Sequence, residues 1–315
     1  MKELVILSGK GGTGKTSLVG SLCALAENKI MVDCDVDAAD LHLIIAPRIL
    51  EDNSFIGGEE ALIDSDRCTG CGECLDYCYF DAIKPATDSN GQEDGRYRVD
   101  PLACEGCAVC SYYCPDDAIR MEKVESGRWY VSETRHGPMV HARLGIAQSN
   151  SGRLVSLLRR RAREMADKNG TGLIIVDGPP GIGCPVIAAL TGAQYALLVT
   201  EPTRSAFHDL KRLLELTGHF RIPAGVVINK YDINPEVAAE IEEHVAGLDL
   251  KLLGKIDYDQ EVTKAQVAGT TLIEYSDNNT SRQIKDIWHR LTTEIEAIPE
   301  GASNEDHKIT GIDGV

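Results

Sequence analysis

No uninterrupted apolar run of about 18 residues occurs in the 315-residue chain, so no membrane-spanning helix is expected. Met1-Lys2-Glu3 passes straight into the strand-like Leu4-Val5-Ile6-Leu7, which lacks the layout of a signal peptide. A cytoplasmic protein is expected. Positive charge is also in short supply. The 32 Lys and Arg against 49 Asp and Glu leave a formal charge of -17, which repels phosphate backbones and anionic lipid. Neither nucleic acid nor membrane is an expected partner. Apolar content, at 43%, is enough for a sizeable core in one large domain or two of roughly 150 residues, which excludes a disordered chain and a small disulfide scaffold.

Charge and cysteine are unevenly spread. Residues 60–125 hold 15 acidic and 6 basic residues and eight of the eleven cysteines. In a reducing compartment clustered cysteines serve as metal ligands sooner than as disulfides, so this stretch reads as a metal module set inside a larger host. It is internally repeated. A shift of 36 residues superposes Asp64 on Asp100, Cys68 on Cys104, Cys71 on Cys107, Cys74 on Cys110, Tyr77 on Tyr113, Cys78 on Cys114, and Asp81-Ala82-Ile83 on Asp117-Ala118-Ile119.

The host alternates strands and helices. Strands are expected at Leu4 to Ser8, Ile30 to Asp33, Leu173 to Val176, Tyr195 to Thr200, Gly225 to Ile228 and Lys251 to Ile256. Helices are expected at Lys15 to Glu27, Asn150 to Asn169, Ser205 to His219, Pro235 to Gly247 and Asp259 to Ala268. Continuous Val/Ile/Leu strands between helices imply an α/β fold, a doubly wound and mostly parallel sheet covered on both faces. A last helix carries Ile284, Ile287, Trp288, Leu291 and Ile295 on one stripe and should pack on the host.

Gly9-Lys10-Gly11-Gly12-Thr13-Gly14-Lys15-Thr16 follows the first strand and opens the first helix, the setting of a Walker A loop. The glycines let backbone N–H groups converge on phosphate oxygens, Lys15 reaches the outer phosphates and Thr16 can ligate magnesium. The extra Lys10 resembles the deviant loop of the MinD/ParA/Mrp branch of P-loop ATPases, which includes the nitrogenase iron protein. That resemblance implies a nucleotide-sandwich dimer, homodimeric or with a related ATPase, in which Lys10 reaches the partner's phosphates. Val32-Asp33-Cys34-Asp35 resembles switch I and implies that Asp35 positions the attacking water, with Asp33 and Asp40 near the metal. Ile174 to Gly181 resembles the Walker B strand and switch II, with Asp177 near magnesium and Gly178 sensing the γ-phosphate. Val227-Ile228-Asn229-Lys230 resembles the base-recognition strand end, with Asn229 on adenine. The implied nucleotide site is Gly9, Lys10, Gly11, Gly12, Thr13, Gly14, Lys15, Thr16, Ser17, Gly178, Asn229 and Lys230, binding ATP with Mg2+. Asp257 stands where the family's base loop usually has proline.

Cys68-x2-Cys71-x2-Cys74-x3-Cys78 and Cys104-x2-Cys107-x2-Cys110-x3-Cys114-Pro115 match bacterial two-cluster ferredoxin spacing, in which the fourth cysteine of each run reaches the other cluster. One 4Fe-4S cluster is then held by Cys68, Cys71, Cys74 and Cys114, the other by Cys104, Cys107, Cys110 and Cys78. The alternative is four-thiolate zinc. Tyr79 replaces the proline that usually follows the fourth cysteine, and Pro85 to Gly95 reads as a hairpin loop. The whole resembles MinD-superfamily ATPases with an inserted ferredoxin domain, a group associated with orange-protein-like metallocluster proteins. It implies residues 1–59 and 126–299 as two parts of the ATPase domain, 60–125 as a small inserted α+β ferredoxin-like domain, and 300–315 as a disordered acidic tail.

Three weaker constellations remain. Cys184 follows switch II and reads either as a buried small residue or as a ligand for a transferred metal at a dimer axis. Met139 and His141 read either as a core pair or as soft-metal ligands. Arg159, Arg160, Arg161 and Arg163 read as a solvated helix face, which the global charge favours, or as a docking site for an acidic partner or DNA. The expected functions are ATP-driven metallocluster assembly or insertion into a client protein, ATP-gated electron transfer to a redox partner, or a positioning ATPase with structural clusters.

Overall fold

The computed structural model describes residues 1–36, 39–88, 91–145 and 151–299. The expected tail at 300–315 and the expected helix start at Asn150 lie outside them. The chain divides into two compact units. One takes in Met1–Asp52, Trp129–Arg143 and the chain from Ser151 onward; the other takes in Asn53–Arg128 with Leu144 and Gly145. The cysteine-bearing unit therefore starts earlier and ends later than the composition break at 60–125.

In chain order the first stretch is β1 (Lys2–Leu7), α1 (Lys15–Leu25), β2 (Lys29–Asp33), α2 (Leu41–Ile45) and β3 (Arg48–Ile63). The cysteine-bearing stretch follows with α3 (Glu73–Asp76), β4 (Ile83–Thr87), β5 (Glu93–Val99), α4 (Val109–Tyr112) and β6 (Ile119–Thr134). The chain returns through β7 (Gly137–Leu144), α5 (Ser151–Asn169), β8 (Leu173–Asp177), α6 (Cys184–Leu190), β9 (Tyr195–Thr200), α7 (Arg204–His219) and β10 (Ala224–Asn229). It ends with α8 (Pro235–Gly247), β11 (Lys251–Ile256), α9 (Gln260–Val267), α10 (Leu272–Tyr275) and α11 (Asn279–Glu296).

Among the described residues the main sheet runs β11-β10-β9-β1-β8-β2-β7-β6-β3. From β11 to β7 every neighbouring pair is parallel. Leu4 to Leu7, Ile30 to Val32 and Ile174 to Val176 are fully buried, as strands covered on both faces require. The register sets Asp33 beside Asp177 and Ile6 beside Asp177, so the carboxyl ends of β1, β2 and β8 finish level. Open parallel sheets hold their ligands at such ends. On α11, Ile284, Ile287, Leu291 and Ile295 are buried, with Trp288 partly so. Gly254 on β11 makes room for that stripe, since a Cβ there would stand 2.4 Å from Ile287 Cγ1.

The arginine run on α5 is solvated only in part: Arg160 is exposed and Arg161 and Arg163 are half-buried, whereas Arg159 is not on the surface. Arg159 is 3% exposed and pairs with Glu3, itself 1% exposed; Arg163 Nη2 lies 2.6 Å from the same carboxylate. Arg159 also donates to the Thr191 carbonyl at 2.8 Å, just past the end of α6. Arg161 pairs with Glu51 at 2.9 Å. A buried carboxylate on the first strand needs compensating charge, and α5 supplies it.

β3 and β6 were not legible in the sequence. β3 contains Glu51, Asp52, Asn53, Gly57, Gly58, Glu59 and Glu60, a composition poor in β-formers; it pairs with β6 at the sheet edge and buries only Phe55, Gly57 and Ala61. In the cysteine-bearing unit β4 and β5 pair antiparallel, with Ile83 opposite Val99, so most of the expected hairpin loop is strand. The core of that unit is small: Ala61, Ile83 and Ile119 pack with the sulfurs of Cys74 and Cys110.

Candidate functional site

Leu7 ends β1 and the next eight residues turn into α1. Gly12 and Gly14 have φ of +80° and +85°, a region L side chains rarely adopt. At Gly9 a Cβ would lie 2.3 Å from Asp209 Cβ, and at Gly14 it would lie 2.3 Å from Asn229 Nδ2. These positions admit no side chain. The loop borders a cavity of about 490 Å³ lined by Gly11 to Leu18, Asp35, Asp40, Pro180, Asn229, Lys230 and the Ile256–Asp259 loop, with Gln266 and the apolar Val262, Leu272 and Ile284 also in its wall.

The residues expected to act are brought together here, and most are engaged with one another. Lys15, 5% exposed, forms a buried ion pair with Asp177. Burial works against its charge, but Asp177, then Asp35 and Asp33, outweigh it and hold the ammonium above its ordinary pKa. Asp33 is pushed well above the carboxylate range by burial and by Asp177 beside it. One Asp33 oxygen accepts from the Asp35 N–H at 3.1 Å. The second carboxylate oxygens of Asp33 and Asp177 and the Thr13 hydroxyl are buried and have no hydrogen-bond partner among the described residues. Two orphan carboxylate oxygens on adjacent strand ends form a hard-oxygen donor set, and Thr16, next in the chain to Lys15, and Asp35, near Asp33, line the cavity.

A model of the CobQ/CobB/MinD/ParA nucleotide binding domain matches residues 4–272. The chain belongs to that family. It is 34% identical over 293 residues to an uncharacterized protein of Methanocaldococcus jannaschii, covering 92% of this chain and 96% of that one. It is 22% identical to an iron-sulfur cluster carrier protein of Pyrococcus horikoshii, covering 96% of this chain and 90% of that one. Among solved structures it is similar to the septum site-determining protein MinD of Pyrococcus horikoshii complexed with Mg-ADP (TM-score 0.54, 17% identity, 95% of this chain and 99% of that one). It is likewise similar to the MinC:MinD cell division protein complex of Aquifex aeolicus (TM-score 0.55, 18% identity, 96% and 100%). At those identities the structural likeness speaks to the fold: a mostly parallel MinD-like P-loop sheet.

In this MinD/ParA-family chain Lys10 faces its own subunit. Its ammonium pairs with Glu201 at 2.8 Å and donates to the Thr203 and Ser205 hydroxyls at 3.2 and 3.1 Å. Glu201 also holds Lys230 at 3.1 Å, and Lys230 donates to the Gly12 carbonyl at 2.9 Å. Glu201 was not singled out from the sequence, where it stands beyond a strand end without a motif. Gly178 donates its N–H to the Ile6 carbonyl at 2.9 Å, so that group is engaged within the sheet. Asn229 donates to the Thr13 carbonyl at 2.7 Å and accepts from the Lys230 N–H at 3.0 Å, anchoring the loop. Ser17 accepts from Gln266 at 2.7 Å. Asp257, in the proline's place, accepts from Asn279 and Gln283 at 2.8 and 2.9 Å, so the loop is braced without the ring.

Two smaller cavities lie in the cysteine-bearing unit. One is lined by Cys68, Cys71, Cys74 and Cys114, the other by Cys104, Cys107, Cys110 and Cys78. Each set draws its fourth member from the other run. Burial, then Cys68 and Cys71 beside it, pushes the Cys74 thiol up to about 11, and burial raises Cys110 as well. The Cys78 and Cys114 sulfurs each accept a backbone N–H at 3.3 Å, from Ala82 and Ala118, which repeats the 36-residue symmetry. Among the described residues no group of three or more His, Cys, Asp or Glu is drawn together to hold a single metal ion.

The remaining candidates are corrected. Cys184 is exposed rather than a buried small residue, and Gly152 of α5 lies against it. Met139 is fully buried in the aliphatic core. His141 is also buried, its Nε2 2.9 Å from the Ser132 hydroxyl and its ring 5.1 Å from Tyr130. Among the described residues no group of three or more His, Cys, Asp or Glu forms around the pair that could hold a metal ion. Cys23 and Cys34 are fully buried. No helix among the described residues is long and apolar enough to cross a membrane.

Proposed function

We propose that this chain is an ATP-hydrolysing iron-sulfur protein that couples nucleotide-dependent dimer closure to metallocluster assembly or insertion into a client, with two 4Fe-4S clusters supplying electrons. The observation that carries the reading is the coexistence, in one MinD-family chain, of the nucleotide cavity and two four-cysteine cavities whose fourth ligands cross over. An iron-sulfur cluster carrier protein among the relatives supports it.

The residues fit the groups the reading requires. The orphan oxygens of Asp33 and Asp177, with Thr16, would hold Mg2+, which neutralises phosphate charge when bound. Four cysteine sulfurs border each cavity, the fourth crossing over from the other run, and they would hold a 4Fe-4S cluster, which carries single electrons when bound. The chain's own steps are exchanges. Lys15 leaves Asp177 for the nucleotide's outer phosphates, which frees Asp177 toward the cation. Gly178 releases Ile6, and Lys10 leaves Glu201 for the phosphates held by the partner subunit. Asp35 orients the attacking water. Hydrolysis removes the terminal phosphate and returns each residue to its intramolecular partner, so the two nucleotide states differ in which contacts they satisfy.

ATP-gated electron transfer to a redox partner is a second reading. It is favoured by the cysteine census outside the two cavities: Cys23 and Cys34 are buried and Cys184 stands alone as an exposed thiol. An anaerobic metal count separates the readings. About eight irons per chain and no further metal, with ATP accelerating oxidation by an acceptor, would sink the assembly reading. Additional metal that leaves on turnover and is lost in Cys184→Ala supports it.

A further inference from the structure

The cysteine-bearing unit shows an aromatic cluster that its core does not use. Tyr77 closes α3 and Tyr113 closes α4. Their rings stack with centroids 4.0 Å apart and planes at 14°, and Tyr112 meets Tyr113 edge-on at 5.1 Å. Tyr77 and Tyr113 are equivalent positions of the repeat. Equivalent residues that touch each other lie where the two halves meet, on the axis that exchanges them. Each precedes the cysteine that crosses to the other half's cavity, and Tyr77 itself borders one cavity. The stack therefore stands next to both cysteine sites. It is left open to solvent: Tyr77 is 45% exposed, Tyr113 46% and Tyr112 84%. Stacked rings in that setting form a flat apolar platform, the type of surface that marks a contact site.

The segments that carry the platform are acidic. Residues 68–83 and 100–119 hold seven acidic residues and no Lys or Arg; Arg67, just before the first segment, is turned onto the Asp116 carbonyl at 2.9 Å, and the other bases of the unit sit on β4, β5 and β6. Asp76, directly before Tyr77, is exposed. Aromatic faces beside carboxylates accept guanidinium and ammonium groups by stacking and by charge, and the same carboxylates repel acidic surfaces.

We propose that the Tyr77–Tyr113 stack, with Tyr112, is the docking face for a redox protein that presents arginine and lysine around its own one-electron centre. The electron-transfer role of this face rests on the two-cluster reading. One electron passes from a reduced cluster beside the stack to the partner's oxidised centre, with no bond made or broken and no proton moved.

The test separates docking from electron transfer. The full chain is titrated with oxidised cytochrome c, a basic haem protein, by calorimetry at about 20 mM and about 200 mM salt. The dissociation constant is expected to rise about tenfold with salt. At low salt it is expected to rise about fivefold in Tyr77→Ser/Tyr113→Ser and about threefold in Tyr112→Ser, whose exposed ring can be removed without disturbing the unit. Neutralising Glu236, Glu243 and Asp249 on the nucleotide-binding unit should change it less than about twofold. Tyrosine variants that bind like the parent, or neutralisation of these three acids of the other unit that weakens binding as much, would overturn the proposal. An iron count on the same sample, below about eight per chain, would overturn the cluster reading while the dissociation constants still decide the docking face.

Discussion

At the scale of single residues the nucleotide site is self-paired. Lys15 carries an expected role on phosphate yet spends this conformation on Asp177, while Asp33 sits beside them with its carboxyl raised. Lys15→Ala is expected to abolish nucleotide binding, measured with a fluorescent ATP analogue. Asp35→Ala should bind normally and turn over about 100-fold more slowly; unchanged hydrolysis would remove Asp35 from the water-positioning role. Away from this site, burial and then His42 push His141 down to about 4. The sign follows from comparing folded and unfolded chains. Below about pH 6.5 the unfolded histidine binds a proton that the folded one refuses, so its contribution to stability is full above that pH and drains away down to about pH 4. The loss should approach roughly 3 kcal/mol by urea denaturation across that range, and His141→Asn should flatten this limb of the profile.

At the scale of elements, two clamps hold the nucleotide-binding unit. The first joins β1 to α5 through Glu3, Arg159 and Arg163. Glu3→Ala leaves a buried guanidinium without its counter-charge, and a loss of about 3–5 kcal/mol is expected in chemical denaturation. The second lies at the β6–β7 connection, where Arg135 makes a forked pair with Glu274 at 2.7 and 3.0 Å and donates to the Ile44 carbonyl at 2.6 Å. Burial opposes ionisation of Glu274, but Arg135, Thr271 and Thr270 prevail and hold it far below the carboxylate range. The pair is part exposed, so Arg135→Ala should cost only about 1 kcal/mol. Because α10 and α2 both flank α1, nucleotide affinity should fall a fewfold with it.

At the scale of the whole molecule, the question is what nucleotide does to association and metal content. Lys10 and Glu201 are paired within the chain, so the proposed dimer closure would exchange that pair for phosphate. With Mg-ATP the parent should sediment as a dimer, and Lys10→Ala should bind nucleotide yet remain monomeric by analytical ultracentrifugation. The acidic balance also acts here. Thiolate ligation would deepen the charge of the cysteine-bearing unit, so its encounters with basic proteins should slow as salt rises.

Much of the site was legible because its signals are local. Gly12 and Gly14 are read from spacing alone, since a phosphate loop needs positive φ at those places, and the cysteine runs are read the same way. Strands such as β1 and β8 declared themselves through continuous burial, whereas β3, rich in acid and glycine, did not. The sequence by itself determined the P-loop, the order of strands and helices in the host, and the repeat that carries the cysteines, because each depends on neighbours within a few residues or on a simple shift. The tertiary structure alone decided that Arg159 is buried against Glu3, that Lys15 rests on Asp177, that Cys184 is exposed, and that Tyr77 meets Tyr113. These depend on which strand ends finish level and which helices pack together, and long-range packing sets both.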